Sequence, residues 1–194
     1  MENTKHQHFI LFKPYGYLSQ FVNNQTRRKN KKMLRELYPF PNETMAIGRL
    51  DEHSEGLLLL TTDGKTSEFI RSTKVEKEYF AQVNGNISLE AIEKLKNGVE
   101  IGFEGTKYIT KRCKAFKLNE IPELPERAKK IRDERHGSTS WVSITLTEGK
   151  FRQVRKMTAA VGYPTLRLVR VRIGNILIST MKPGEVIKVN DFHS

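Results

Sequence analysis

The amino-acid sequence predicts an α+β protein built on a mostly antiparallel sheet. Short apolar segments typical of strands alternate with short helical segments along the whole chain. No internal repeat or low-complexity tract interrupts this order. Turn residues such as Pro14 and Gly16 end the first apolar segment. These observations favour the α+β class over an all-α or an all-β protein.

The strands are predicted from apolar runs and from alternation of apolar and polar residues. In residues 141–147, Val142, Ile144 and Leu146 alternate with Ser143 and Thr145, which predicts a strand buried on one face only. Residues 57–61 are predicted to form a strand that is buried throughout. The other predicted strands cover residues 9–12, 77–83, 166–173 and 185–189, and residues 106–118 are also expected to be extended.

Three helices are predicted from capping signals and helical spacing. A short helix is expected near 67–71, after the turn at Asp63 and Gly64. A second begins after Ser88 as N-cap and stops at Gly98. A third is expected from about 151 to 161. Residues 119–139, with two prolines and many charges, are expected to be irregular.

The composition indicates a globular protein with a polyanionic partner. Thirty-four Lys and Arg residues against 22 Asp and Glu give a net charge of +12. Such a balance favours nucleic acid, although charge alone does not distinguish RNA from DNA. An apolar content of 37% is enough for a hydrophobic core.

Several classes of protein are not expected. The N-terminus lacks the apolar region of a signal peptide and no apolar run is long enough to span a bilayer, so we expect a soluble, cytoplasmic protein. A single cysteine, Cys113, excludes an internal disulfide and is expected to be structural. No spacing suggests a metal site, and His6 and His8 are expected in a frayed terminus. Gly64, Lys65 and Thr66 resemble the end of a P-loop, but Leu59 replaces its first glycine.

Two segments carry the candidate chemistry. Residues 46–61 place Asp51 just before the apolar strand, and a carboxylate beside a buried element is well placed for catalysis. In residues 151–161, helical spacing puts Phe151, Val154 and Met157 on one face and a basic set of Arg152, Arg155 and Lys156 on the other. The basic face is either simply solvated or binds an anion.

These segments resemble the signatures of the RsuA/RluB/RluE/RluF family of ribosomal RNA pseudouridine synthases. Gly48-Arg49-Leu50-Asp51, followed after two residues by Ser-Glu-Gly, is similar to the family's catalytic motif. Residues 148–157 resemble its second signature, and 12–21, 76–79 and 166–174 resemble three more in the same order. The resemblance covers residues 9–190 and is closest to the short RluE-like branch, which lacks an S4 domain.

The resemblance implies a fold, an activity and a set of roles. It implies a catalytic domain over residues 9–190, in which two α+β halves share a central mixed, mostly antiparallel sheet with a basic cleft between them. A frayed or disordered segment 1–8 precedes this domain and a tail 191–194 follows it. Asp51 is the implied catalytic carboxylate, whether it acts at C1′ of the ribose, at C6 of the uracil or on a sugar proton. Arg155 is implied to keep Asp51 ionised. No cofactor or metal is implied.

Tyr79 and Leu168 are implied to form the uracil site. Tyr79 can stack on the base and assist proton transfer, or pack as an ordinary strand tyrosine. Leu168 lines the base pocket or belongs to the core. Arg49 braces the RNA where the uridine leaves its stack, or forms a surface ion pair.

The remaining expectations concern RNA binding. Lys13, Lys150, Arg152 and Lys156 are implied to contact phosphates, and the basic run 27–32 is expected to help hold RNA or to be merely solvated. Large-subunit (23S) ribosomal RNA is the expected substrate and partner of a monomer, with no membrane involved. The alternatives are small-subunit RNA as substrate, or a noncatalytic RNA-binding protein of ribosome assembly.

Overall fold

The computed structural model describes residues 6–22, 30–72, 75–131 and 134–192. The described elements are thirteen strands and three α-helices, with two 3₁₀ turns at Leu34–Glu36 and Glu134–His136. The strands are β1 His8–Lys13, β2 Tyr17–Leu18, β3 Lys32–Met33, β4 Met45–Ala46, β5 Glu55–Thr61, β6 Lys77–Asn84, β7 Glu100–Phe103, β8 Thr106–Ile109, β9 Lys114–Lys117, β10 Thr139–Leu146, β11 Thr165–Ile173, β12 Ile176–Leu177 and β13 Val186–Val189. The helices are α1 Gly64–Arg71, α2 Leu89–Asn97 and α3 Gln153–Ala160.

One mixed sheet of nine strands forms the centre of the protein. Its order is β13-β1-β5-β11-β6-β10-β9, with β4 paired to β5 and β12 paired to β11. Strands β5 and β11 are parallel, whereas the other pairs described in this sheet are antiparallel. The α+β class with a mostly antiparallel sheet is therefore confirmed. The parallel pair divides the sheet into two halves.

Apolar side chains cover both faces of the first half of the sheet. In β5, Leu57 and Leu59 pack into one hydrophobic cluster while Leu58 and Leu60 pack into another. Because successive side chains of a strand point to opposite faces, burial on both sides requires a continuous apolar run. The segment predicted to be buried throughout is indeed so.

Helix α2 covers the second half, where the capping predictions are confirmed, whereas α1 packs its Ile70 against Leu57 and Leu59 of β5. The Ser88 hydroxyl accepts a hydrogen bond from the Ala91 N–H, and Gly98 ends α2. Ile92 and Leu95 of α2 pack in one core with Val142 and Ile144 of β10. None of the described helices is long and apolar enough to cross a membrane.

Two expectations about burial are wrong. Strand β10 is buried on both faces rather than one, and the hydroxyl of the buried Ser143 is satisfied because it donates to Glu78 at 2.7 Å. His8 was expected in a frayed terminus, but it is the first residue of β1 and its ring bonds the Thr61 hydroxyl. Residues 1–5 and 193–194 lie outside the described residues.

The third helix begins later than predicted. Phe151 and Arg152 precede α3, and Phe151 is exposed instead of packed in the core. Arg152 has φ +53°, a left-handed conformation that a helix cannot continue. Val154, Met157 and Thr158 are buried, as the helical spacing predicted.

Candidate active site

Asp51 lies in the loop 47–54, which connects β4 to β5 at the middle of the sheet. The Ser19 hydroxyl donates to the Leu50 carbonyl and accepts from the Leu50 N–H, both at 2.9 Å. On the other side, the Ser54 N–H donates to the Asp51 carbonyl at 3.0 Å. The backbone on either side of Asp51 is therefore fixed by hydrogen bonds.

Gly56 allows β11 to reach this loop. It has φ +106°, and a Cβ at this position would lie 2.3 Å from the Arg170 carbonyl oxygen. Any other residue would clash with the backbone of β11 and strain its own. The glycine thus explains why the apolar strand follows Ser-Glu-Gly, and it brings β11 beside Asp51.

Two arginines approach the Asp51 carboxylate, Arg155 from α3 and Arg152 from the position just before α3. Arg152 Nη1 donates to Oδ2 at 3.0 Å, and Arg155 Nε lies 3.7 Å from the same oxygen. Arg155 is held in place because its Nη2 donates to the His53 carbonyl at 2.9 Å and to the Ser54 hydroxyl at 3.2 Å. Burial and the charge of Arg152 lower the pKa of Arg155, while Asp51 opposes that change. Two guanidinium groups therefore lie within 4 Å of one carboxylate oxygen of Asp51.

A hydrogen-bonded network shapes the loop that carries Arg152. Glu148 is buried and accepts from the Tyr108 hydroxyl at 2.5 Å, the Lys111 N–H at 2.9 Å and Gln153 Nε2 at 2.6 Å. Gln153 in turn accepts from the Lys150 N–H at 2.9 Å. Burial acts to raise the pKa of Glu148, but these hydrogen bonds outweigh it and hold the pKa below its usual value. The network stabilises the left-handed backbone of Arg152.

Six of the nine predicted site residues line one pocket of about 60 Å³: Arg49, Asp51, Tyr79, Lys150, Arg152 and Leu168. Tyr79 and Leu168 are buried and lie on the neighbouring strands β6 and β11. A seventh residue, Arg155, contacts Asp51 without lining the pocket. The pocket therefore combines one carboxylate, several cations and apolar walls.

The prediction that Lys13 contacts a phosphate is wrong. Lys13 is fully buried, and its ammonium donates to the carbonyls of Pro14 at 2.9 Å, Tyr17 at 2.7 Å and Glu52 at 3.5 Å. Burial lowers the pKa of Lys13 to about 7, although the charges of Glu55 and Asp51 act to raise it. Its role is to hold the start of β2 and the Asp51 loop together.

The other lysines differ in position. Lys150 lies 4.7 Å and 4.9 Å from the ring centres of Phe103 and Tyr108, at the pocket. Lys156 lies outside the pocket, and its ammonium donates to the Gly102 carbonyl at 2.7 Å. Its phosphate contact stays a prediction.

The basic run and the cysteine have structural partners. Of residues 27–32, Arg27, Arg28 and Lys29 lie outside the described residues, whereas Lys31 pairs with Glu52 at 2.5 Å. Lys31 therefore braces the Asp51 loop. The Cys113 thiol donates to the Leu95 carbonyl at 3.2 Å, and burial raises its pKa to about 11, so it is not a nucleophile at neutral pH.

Sequence reasoning missed residues that position the site. Ser19, Ser54, Glu148 and Gln153 all hold backbone or side chains around Asp51. They belong to the quoted motifs, but only the charged residues with an obvious role were assigned. A contact between Ser19 and Leu50, separated by 31 positions, has no periodic signal in the sequence. Arg152 was assigned to phosphate, and its bond to Asp51 was not predicted.

A model of the RNA pseudouridylate synthase family matches residues 7–160. The chain belongs to this family. It is 39% identical over 178 residues to ribosomal large subunit pseudouridine synthase E of Xanthomonas campestris pv. campestris, covering 91% of each chain. It is 38% identical over 178 residues to the protein of the same name from Vibrio parahaemolyticus, covering 91% of this chain and 71% of that one. As expected of a family member, it is an enzyme that isomerises uridine to pseudouridine.

The fold agrees with the family. A crystal structure of a pseudouridylate synthase superposes with a TM-score of 0.72 at 26% identity, covering 95% of this chain and 70% of that one. The predicted pseudouridine synthase fold is confirmed. The roles of the individual residues at the site are proposals and are argued below.

Proposed function

We propose that this protein converts one specific uridine of large-subunit ribosomal RNA to pseudouridine, with Asp51 as the catalytic carboxylate. The observation that carries the proposal is the pocket itself, in which Asp51 lies against two guanidinium groups and faces Tyr79 and Leu168. The two relatives described above, both named for the large ribosomal subunit, support this class of RNA.

The reaction is balanced without a cofactor. The bond between N1 of uracil and C1′ of ribose breaks, the base turns, and C5 bonds to C1′. The hydrogen of C5 leaves as a proton, and N1 takes up a proton in its place. A carboxylate can serve this centre as a nucleophile or a base, as in retaining glycosidases. Arg155 holds a positive charge 3.7 Å from Asp51 Oδ2, and this attraction strengthens when RNA excludes water from the pocket. Tyr79 supports the base, and Leu168 packs beside it.

Entry of uracil requires the pocket to enlarge. Its volume of about 60 Å³ equals the share of roughly two water molecules in the liquid, at ~30 Å³ each. Arg152 is the group positioned to move, because its side chain is 40% exposed whereas that of Arg155 is 13% exposed. On binding, Arg152 turns from Asp51 to a backbone phosphate, and Arg155 stays with the carboxylate. Arg49, exposed at the rim, braces the RNA that has lost its base.

Tritium release tests this function directly. Large- and small-subunit ribosomal RNA transcripts are labelled with tritium at uridine C5, and release is compared for the native protein, Asp51→Asn and Glu90→Gln. Glu90 is a matched control, since its carboxylate lies exposed on α2 in a surface ion pair with Lys94. We expect release from the large-subunit transcript with the native protein and with Glu90→Gln, and none with Asp51→Asn.

Each other outcome contradicts a stated part of the proposal. Release from the small-subunit transcript alone would show that the substrate is small-subunit RNA instead of large-subunit RNA. Undiminished tritium release by Asp51→Asn would show that Asp51 is not the catalytic carboxylate. Tight binding of both transcripts without release, also from partly assembled ribosomal particles, would favour a noncatalytic RNA-binding protein.

A monomeric state and a cytoplasmic location complete the proposal. One copy supplies the complete set of side chains around Asp51, which supports a monomer. Sedimentation of the free protein and cell fractionation test these two points.

A further inference from the structure

A second cavity adjoins the Asp51 pocket. Its volume is about 260 Å³, several times the roughly 30 Å³ share of one water molecule, so a group the size of a phosphate fits inside. The two spaces share Arg49, Tyr79, Gly149 and Lys150 as lining residues. A ligand can therefore extend from one into the other without leaving the protein surface.

The charge of this second cavity is of one sign. Five of its lining residues are cationic: Arg49, Arg71, Lys77, Lys150 and Arg170. None of the described residues that line it is acidic, whereas Asp51 and Glu148 line the neighbouring pocket. Its other walls include the apolar residues Ile47, Ile70 and Ile173. Cations clustered against apolar walls attract an anion more strongly than the same cations in open solvent.

Arg170 gives the cavity a donor that lacks a partner. Its side chain comes from β11 and is 3% exposed, and its Nε donates to the Leu57 carbonyl at 2.7 Å. Its Nη2 is buried without a hydrogen-bond partner among the described residues. Buried donors are nearly always paired, so an unpaired guanidinium nitrogen at a cavity points to an absent acceptor. A phosphate oxygen is such an acceptor, and arginine suits it well.

Lys77 adds a second cation on β6, and its side chain is half-buried. Its ammonium donates to the Val75 carbonyl at 3.1 Å, and an ammonium carries three N–H donors. Burial and the charge of Arg170 lower the pKa of Lys77, so the two cations disfavour each other in the empty cavity. A bound anion relieves this repulsion.

We propose that this cavity binds one backbone phosphate of the RNA, next to the uridine whose base occupies the Asp51 pocket. The identity of the ligand as RNA rests on the proposed function. Arg170 and Lys77 grip the phosphate from the sheet, and Arg71 binds it from the end of α1. Because the two spaces share Tyr79, the phosphate fixes the distance between the backbone and Asp51. Lys77, Arg71 and Arg170 are thus positioning residues.

Phosphate ethylation interference tests the proposal. A large-subunit transcript is ethylated sparsely on its phosphates, the fraction that binds is isolated, and the phosphates whose ethylation prevents binding are mapped. The measurement is made in the Asp51→Asn background, alone and combined with Lys77→Gln, Arg71→Gln or Lys188→Gln. Lys188 is the matched control, since it is an exposed lysine on β13 at the far edge of the sheet. Thermal unfolding verifies that each variant is folded.

We expect Lys77→Gln and Arg71→Gln to abolish interference at the same single phosphate and to weaken binding by about five- to tenfold, because the contact is already lost. That phosphate should adjoin the uridine mapped by tritium release. Lys188→Gln should leave the whole pattern unchanged. An unchanged pattern in Lys77→Gln, or two different phosphates for Lys77 and Arg71, would overturn the shared site.

The same experiment separates this proposal from the proposed function. A single lost phosphate together with absent tritium release by the native protein would support the cavity and contradict the enzyme's assigned RNA substrate. Normal tritium release together with an unchanged interference pattern would support the proposed RNA substrate and contradict the phosphate site in the cavity. If no transcript binds, both are overturned.

Discussion

Asp51 and Glu55 are two carboxylates four positions apart that have the same kind of partner and different surroundings. Glu55 accepts two hydrogen bonds from Arg167, at 3.1 Å and 2.9 Å, and Arg127 lies 3.9 Å away. Its side chain is 2% exposed. Asp51 accepts one bond from Arg152 at 3.0 Å, has Arg155 at 3.7 Å, and is 21% exposed. Each carboxylate thus faces two arginines.

The difference shows what a reactive carboxylate needs. Both oxygens of Glu55 are bonded to a buried guanidinium that also donates to the Pro125 carbonyl at 2.7 Å. The Glu55 pair fastens the irregular segment around Pro125 to the sheet. At Asp51 the described arginine contacts all fall on Oδ2, and the residue lines a pocket. The arginines of Glu55 occupy both of its oxygens, whereas those of Asp51 contact only Oδ2. Asp51 therefore keeps lone pairs that can react with a substrate, and Glu55 has a structural role.

The largest effect is expected from Asp51→Asn. Turnover should fall on the order of 10⁴-fold or more, about 5 kcal/mol in activation free energy, because the reactive charge is lost. The free energy of unfolding should change by less than about 1 kcal/mol, since the carboxylate is only partly buried. Tritium release and urea denaturation measure the two quantities. A loss of stability without a specific loss of turnover would instead indicate that Asp51 has a structural role, as Glu55 does.

The opposite response is expected from Glu55→Ala. It should lower the free energy of unfolding by about 3–5 kcal/mol, because Arg167 would remain buried and unpaired. Urea denaturation checks this. The Glu55→Ala/Arg167→Met double variant should be more stable than Glu55→Ala alone. Glu100→Ala, which removes an exposed pair with Lys107, is the control and should cost less than about 1 kcal/mol.

The two arginines of Asp51 should differ from each other. Arg155→Ala should lower the free energy of unfolding by about 1–3 kcal/mol and also reduce turnover, because it removes hydrogen bonds to His53 and Ser54. Arg152→Ala should change unfolding by about 0.5 kcal/mol or less and mainly weaken RNA binding, since its side chain is half exposed. Urea denaturation and RNA titration separate these effects. Equal losses of stability would contradict the assignment of Arg152 as the mobile partner.

The last prediction concerns Lys13, whose pKa is lowered by burial although the charges of Glu55 and Asp51 act to raise it. Its pKa is about 7 in the folded protein and roughly 10.4 in an unfolded chain. Between these values the unfolded chain binds more protons, so stability due to Lys13 rises with pH. The native protein should therefore gain stability relative to Lys13→Met as the pH is raised from 7 to 9. A difference that shrinks or stays constant in urea denaturation would contradict the depressed pKa.

Local signals in the sequence predicted much of the fold. The Ser88 cap, the Gly98 stop and the apolar run in β5 depend on neighbouring residues, and the structure has all three. The burial of β10 on both faces was not predictable, since it depends on which distant segments of the chain pack over the sheet. Arg152 was placed in a helix because periodicity does not reveal a left-handed residue.

The site followed the same division. The motifs predicted that Asp51, Tyr79 and Leu168 act on the same base, and in the structure all three residues line one pocket. Lys13 was assigned by its charge, but its environment is a set of carbonyls that only the folded chain brings together. A sequence shows which groups can carry charge, and the tertiary structure determines which of them meet solvent.

The paired hydrogen bonds between Ser19 and Leu50 affect how freely the catalytic loop can vary. A side chain holds the backbone of Leu50 in the way that a neighbouring strand would. The loop is therefore anchored at Leu50 through backbone atoms and not through the Leu50 side chain. We therefore expect the main chain of the loop to keep its position when only the side chain at position 51 is changed, as in Asp51→Asn.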